Sequence, residues 1–355
     1  MLSCEATAYN APIDLPSTTL HLPSCHGLSV FLNSPSTCTS STPCGFILDI
    51  HGHSMSGEEQ AFNSGLFEVG AENGYVVAAP TSPYVSWEGP SWAPEYHVEL
   101  LQNLLQAAKD DETIDSNRIH VTGFSQGGFL SWDLLCKSSE VVCSAAPLAA
   151  SGRDAWGAGF GSNCFDSSGS GPANHRSVMF TIGRTDPLSS KSLSYDQFYD
   201  VAETYYGFKS DYPDFFGDYT VTTDNVIKME YGEDGINVKF IDHNGDCTLY
   251  DNCGGHCFPT EPPSVCSASQ KAYWVGTVDF FSNNHRCCVD GWSHGEEVVK
   301  FFKANTCDQT VADTGAPTPA PTNPSMLNGG GASAGKGLQG TVLTVAVIIV
   351  LCAYL

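Results

Sequence analysis

Gly123-Phe124-Ser125-Gln126-Gly127 places a serine between two glycines in G-x-S-x-G spacing, which lets a sharp turn present a hydroxyl at the end of a strand. Such a pattern is weak in a chain holding 35 glycines, and it recurs as Gly291-Trp292-Ser293-His294-Gly295. Context separates the two. Arg118-Ile119-His120-Val121-Thr122 reads as a strand entering the first turn, and Gly128 to Leu135 reads as a helix leaving it. Cys287-Cys288-Val289-Asp290 before the second match is no such strand, so Ser293 reads as a helix N-cap region ahead of Glu296 and Glu297. Ser125 is the candidate nucleophile, with a plain turn serine as the alternative reading.

A serine hydroxyl needs a neutral imidazole to take its proton and donors for the oxyanion that forms when it attacks a carbonyl. The backbone N–H of Gln126, directly after Ser125, is one candidate donor. The other is expected from a loop after an earlier strand, and Phe46-Ile47-Leu48-Asp49-Ile50 followed by His51-Gly52-His53 has that form, which makes His53 the candidate. A metal reading of His51 and His53 lacks a Glu and a third histidine at ligand spacing, so no metal is expected. A carboxylate follows an apolar strand in Val178 to Asp186, which nominates Asp186 as the group that orients the base. Two histidines compete as base, His256 in Gly254-Gly255-His256-Cys257 and His294 ahead of the last helix. His51, His120 and His243 read as structural or loop histidines. Trp87 and Trp92 are candidates to stack a substrate ring, or else pack near the sheet edge.

These groups must be carried by a scaffold, and the pattern between them alternates. Short apolar runs at Phe46–Ile50, Tyr75–Ala79, Ile119–Phe124, Ser144–Ala149, Val178–Ile182 and Val238–Ile241 suit strands covered on both faces. Helical spacing lies between them at Val98, Leu101, Leu104, Leu105 and Ala108, and again at Phe129, Trp132 and Leu135. Val298, Val299, Phe301 and Phe302 suggest a closing helix. The alternation predicts an α/β fold with a mainly parallel sheet and helices on both faces. One catalytic domain is expected over residues 1–307, with no internal repeat. The segment Tyr199 to Thr223, rich in Tyr, Phe and Asp, reads as an aromatic surface flap, with a cleft lining as the alternative.

Asp and Glu total 39 against 15 Lys and Arg, a formal net charge of -24, which excludes nucleic acid as a partner because phosphates are bound by clustered Lys and Arg. The chain has 15 cysteines without repeated C-x-x-C spacing, so disulfides and an oxidising compartment are expected rather than structural zinc. Vicinal Cys287 and Cys288 must then find separate partners.

Met1-Leu2-Ser3-Cys4-Glu5 has neither a basic nor an apolar signal region, and the expectation is that an export signal precedes it. Residues 308–340 are rich in Thr, Pro, Gly, Ala and Ser and read as a solvated stalk. Residues 341–355 form an apolar tail that as a helix reaches about 22 Å, short for a bilayer core of about 30 Å. With the small residues and polar spacer before it, the tail reads as a glycosylphosphatidylinositol signal, with a short membrane anchor as the alternative.

The chain resembles α/β-hydrolase esterases related to polyhydroxybutyrate depolymerases and type-1 feruloyl esterases. Gly183-Arg184-Thr185-Asp186-Pro187-Leu188 looks like that family's acid loop, with Ile182 where a histidine is usual. Ile114-Asp115-Ser116-Asn117-Arg118 is similar to its approach to the nucleophile strand, and Gly254-Gly255-His256-Cys257-Phe258-Pro259 resembles its histidine loop, with Phe for Trp. The resemblance covers roughly residues 25–306. It implies a disulfide-rich α/β-hydrolase with Ser125, Asp186 and His256 as triad, His256 being preferred to His294 because the family's closing helix follows the histidine loop. It also implies a cofactor-free serine esterase acting on a small-molecule or polymeric ester. A serine peptidase and a non-catalytic cell-surface binding protein are the alternatives.

Overall fold

Valine, isoleucine and phenylalanine at consecutive positions favour extended backbone when both faces of a sheet are covered. A computed structural model describes residues 5–8, 28–86, 89–152, 164–165, 171–189, 191–208, 218–223, 226–233, 235–245, 255–260, 285–289 and 291–308. All lie in the unit Met1–Thr310; the second unit, Val311–Leu355, which holds nearly all of the expected stalk and the whole tail, is outside the described residues.

The strands are β1 (Glu5–Ala8), β2 (Ser29–Asn33), β3 (Cys44–Ile50), β4 (Tyr75–Thr81), β5 (Val85–Ser86), β6 (Gly89–Pro90) and β7 (Ile114–Phe124). They continue with β8 (Ser144–Leu148), β9 (Ser177–Gly183), β10 (Asp218–Thr223), β11 (Val226–Glu233), β12 (Ile236–His243), β13 (Phe258–Thr260) and β14 (Arg286–Cys288). Ten of them form one sheet in the order β1-β2-β4-β3-β7-β8-β9-β12-β11-β10. From β4 to β12 every neighbour is parallel, while β2 runs antiparallel to β4 and β10 and β11 add antiparallel edge strands.

Among the described residues, the α-helices that cover the sheet are α1 (Gly57–Ser64), α2 (Leu66–Glu72), α3 (Pro94–Asp110), α4 (Gln126–Lys137), α5 (Lys191–Tyr199), which runs on into a π-helical turn at Asp200–Tyr205, and α6 (His294–Ala304). Strand side chains alternate between two cores, as the pleat requires. Phe46, Leu48 and Ile50 of β3 join Leu101, Leu104 and Leu105 of α3 and Leu130 and Leu134 of α4 on one face. Ile47 joins Leu66 and Phe67 of α2 and Val298 and Phe302 of α6 on the other. Each such side chain contributes roughly 1.5–3 kcal/mol by leaving water. No helix among the described residues is long and apolar enough to cross a membrane.

All six expected runs are strands of the central sheet. The edges were not expected: β2 has an exposed first residue and only part-buried Phe31, and β11 carries Lys228 and Glu230, so neither has a continuous apolar signature. Ala149, expected in a strand, lies just beyond β8 with φ 53°. Tyr206 is buried, its hydroxyl donating to the Arg176 carbonyl at 2.5 Å, and Tyr205 packs edge-on against Phe165. That end of the Tyr199 to Thr223 segment is therefore core rather than surface flap. Disulfides join Cys38–Cys44, Cys136–Cys164, Cys143–Cys307 and Cys257–Cys287, and Cys288 is also disulfide-bonded.

Candidate active site

Strand β7 ends at Phe124 and helix α4 begins at Gln126, so Ser125 alone makes the turn, with φ 52° and ψ -114°. A side-chain-bearing residue in such a conformation costs of order 1–3 kcal/mol and persists only where its surroundings hold it. They do: Ser125 N–H donates to the Leu148 carbonyl at 2.9 Å, and the Ser125 carbonyl accepts from Phe129 N–H at 3.0 Å. The glycines are steric necessities, because a Cβ on Gly127 would overlap the Ile50 carbonyl and one on Gly128 would sit 2.7 Å from Leu148 O. Among the described residues, the non-glycine positions with positive φ are Ser54, Ser125 and Ala149, which follow the adjacent strands β3, β7 and β8. Backbone strain thus gathers beyond the carboxyl ends of three neighbouring central strands.

Asp186 follows β9 in a turn closed by its own N–H to the Gly183 carbonyl at 3.0 Å. One carboxylate oxygen, Oδ1, accepts from Leu188 N–H at 2.8 Å and Ser189 N–H at 2.9 Å. The other, Oδ2, faces His256 Nδ1 at 2.9 Å. The loop is braced below by Arg184, whose Nε lies 3.2 Å from Asp242 Oδ1, while Tyr195 donates to Asp242 Oδ2 at 3.1 Å. Gly183 and Gly255 touch backbone to backbone: a Cβ on Gly255 would lie 2.5 Å from Gly183 Cα. Two loops 70 residues apart can close on each other only because neither carries a side chain there.

With Nδ1 committed to Asp186, His256 keeps Nε2 as its proton-accepting nitrogen. Its ring packs on Phe124, the residue before Ser125, with centroids 4.8 Å apart. Phe124 belongs to a small apolar cluster with Met55, Leu148, Ala149 and Phe258. The Cys257–Cys287 disulfide ties the residue after His256 to β14.

His53 lies on the loop after β3, and its Nδ1 is 3.1 Å from Ser91 Oγ. That loop exits into α1 through a capping box, with Ser56 N–H donating to Glu59 Oε2 at 2.6 Å and Glu59 N–H donating to Ser56 Oγ at 3.2 Å. Gln126 uses its side chain as well: Oε1 accepts from Trp92 N–H at 3.0 Å and lies 3.2 Å from Ser91 Oγ. Trp92 is only 3% exposed, and its indole N–H donates to the His51 carbonyl at 2.9 Å. The expected ring-stacking role of Trp92 is therefore corrected to that of a buried strut behind the His51–His53 loop. Trp87 lies outside the described residues.

His294 is buried at the start of α6, away from Asp186 in its pairing, and burial pushes its pKa down to about 3. Ser293 takes the N-cap position of that helix without a side-chain capping bond. His51 has both ring nitrogens engaged, Nε2 accepting from Ser82 N–H at 2.9 Å and Nδ1 beside the Gly52 carbonyl at 2.6 Å. Burial lowers its pKa to about 4. His243 shares a cluster with Cys257 and Cys287, but the two sulfurs are bonded to each other and offer no thiolate. Two residues near the site had no signal in the sequence. Ser91 is an ordinary serine by type in a serine-rich chain, and His285, 5.4 Å from the Phe124 ring and held neutral by burial and by His256, stands in no motif.

No protein-family model matches the chain, and no curated protein matches it. Solved structures that are similar include the acetyl xylan esterase from Aspergillus awamori, at 17% identity over 61% of this chain and 87% of that one, with a TM-score of 0.46. The Bacillus cereus carboxylesterase is similar at 17% identity over 48% of this chain and 78% of that one, TM-score 0.37. The S-formylglutathione hydrolase of Staphylococcus aureus is similar at 12% identity over 49% and 78%, TM-score 0.36. The mainly parallel sheet, the antiparallel β2 and the strand–serine–helix turn of this chain are together those of the α/β-hydrolase fold.

Proposed function

We propose that the protein is a serine carboxylic ester hydrolase working through an acyl-enzyme. The observation that carries this reading is the 2.9 Å His256 Nδ1 to Asp186 Oδ2 pair, next to a serine held at φ 52° on a strand-to-helix turn. Ser125 Oγ attacks the ester carbonyl while His256 Nε2 takes its proton, then returns that proton to the leaving alcohol. Asp186 holds the ring in the tautomer that leaves Nε2 basic and stabilises the imidazolium that forms. The backbone N–H groups of Gln126 and His53 receive the oxyanion; loss of one such donor costs about a hundredfold or more. Water then repeats the sequence on the acyl-enzyme.

The substrate classes proposed are feruloyl- or acetyl-polysaccharide and polyhydroxyalkanoate esters. Buried disulfides support a working place outside the reducing cytosol. Attachment to the cell surface by a glycosylphosphatidylinositol anchor that replaces residues 341–355 is part of the same proposal, and release by a phosphatidylinositol-specific phospholipase tests it. The central experiment is hydrolysis of p-nitrophenyl esters together with fluorophosphonate labelling. Ser125→Ala is expected to lose labelling and about four to six orders of magnitude in kcat. A Ser125→Ala variant that hydrolyses esters like wild type overturns the mechanism.

A further inference from the structure

Two oxyanion donors on different loops must be held at a fixed separation, because each is useful only about 3 Å from the position the oxyanion will occupy. Between the two arms stands Ser91. Its hydroxyl is 3.1 Å from His53 Nδ1 on one side and 3.2 Å from both Oε1 and Nε2 of Gln126 on the other. A hydroxyl donates once and accepts twice, so one oxygen serves both partners at the same time. Trp92 N–H fixes the orientation of the Gln126 amide by donating to Oε1 at 3.0 Å.

Ser91 is itself anchored independently of that bridge. Its N–H donates to the Tyr84 carbonyl at 3.0 Å, and its carbonyl accepts from Ser82 Oγ at 2.6 Å. Ser82 in turn donates its N–H to His51 Nε2 at 2.9 Å, so the post and the His51–His53 loop share a base. Ser91 is 7% exposed, which keeps water from competing for these bonds.

We propose that Ser91 is a positioning residue for the oxyanion hole: its hydroxyl ties the His53 arm to the Gln126 arm and sets the spacing of their backbone N–H groups. The proposal rests on the ester-hydrolase reading above. A positioning role acts on the transition state and leaves ground-state binding nearly unchanged, so it has a kinetic signature.

The test compares wild type and Ser91→Ala on a p-nitrophenyl ester and measures inhibition by a trifluoromethyl ketone, whose hemiketal oxyanion occupies the same hole. Ser91→Ala is expected to lower kcat by about 10- to 100-fold with KM within threefold, and to weaken the ketone by about the same factor as kcat/KM. Gln126→Met removes the other end of the bridge and is expected to show the same split, with the double variant no worse than about threefold below the weaker single variant. That second variant carries the test if Ser91→Ala does not fold. Unchanged kcat, a change confined to KM, or fully additive losses overturn the proposal. A wild-type protein that neither hydrolyses esters nor takes a fluorophosphonate overturns the hydrolase reading instead, which separates the two failures.

Discussion

Replacing Gly255 by alanine perturbs the base without touching any group that reacts. The added Cβ would stand 2.5 Å from Gly183 Cα and 2.7 Å from Gly183 C, where ordinary contact begins at 3.4 Å. These are backbone atoms of a fully buried strand, so they cannot swing aside as a side-chain tip would. The histidine loop must retreat by about 0.9 Å, the gap between those separations. His256 is the next residue, and a retreat of that size stretches its 2.9 Å bond to Asp186 beyond useful hydrogen-bond length. A 1 Å misplacement of a catalytic group costs about 10²-fold, and loss of the correct histidine tautomer costs up to about 10⁴-fold. The expected fall in kcat is therefore between about 10² and 10⁴. Gly255 has no positive φ, so the effect is purely steric and larger residues should be worse. The assay is p-nitrophenyl ester turnover, with far-ultraviolet circular dichroism to verify the sheet. A Gly255→Ala protein with kcat within threefold of wild type would refute the argument that close backbone packing registers the two loops.

Acid stability follows from buried histidines. His51 and His243 titrate near 4 and His294 near 3, all below the ordinary value of 6.5 and all chiefly through burial. Between pH 6.5 and about 4 the unfolded chain binds the extra protons, so stability is full above 6.5 and is lost as pH falls, by about 1.4 kcal/mol per pH unit for each histidine. Asp49 works in the opposite sense: burial raises its pKa to about 7 despite hydrogen bonds from Ser64 and Gln60, so its contribution is lost as pH rises from 3.8 through 7. The histidines outnumber it, and urea midpoints are expected to rise from pH 4.5 to 6.5; a flat or falling profile sinks this account. On α6, Glu297 binds Lys239 at 2.6 Å and Lys228 at 2.7 Å, and its pKa is held down near 2 by those lysines against burial. Glu297→Gln leaves two mostly buried ammonium groups underpaired and is expected to cost about 3 kcal/mol in denaturant unfolding. A loss under 1 kcal/mol would show that solvent reaches the lysines.

Much of the site was readable because its parts are local. Ser125 could be told from Ser293 since the strand before it and the helix after it lie within a dozen residues, and the glycines that the turn needs are contiguous with it. Asp186 stood out for the same reason, at the end of an apolar run. Trp92 stayed open between two readings because residue type carries no information about burial: an indole suits a substrate ring and a loop strut equally well, and its burial and its bond to the His51 carbonyl favour the strut. Ser91 was missed because a bridging hydroxyl has no sequence signature.

The amino-acid order on its own determined the parallel centre of the sheet, the strained serine turn and the carboxylate-bearing loop, since each depends on side-chain period and backbone sterics over a few consecutive residues. Which of His256 and His294 meets Asp186 was decided by the tertiary structure. One of these rings meets Asp186 across 70 residues of chain where two glycines allow the loops to close, and the other is buried at the first residue of α6, where burial keeps it neutral. Contacts of that range depend on how several elements pack at the same time, and no local stretch of sequence encodes the outcome.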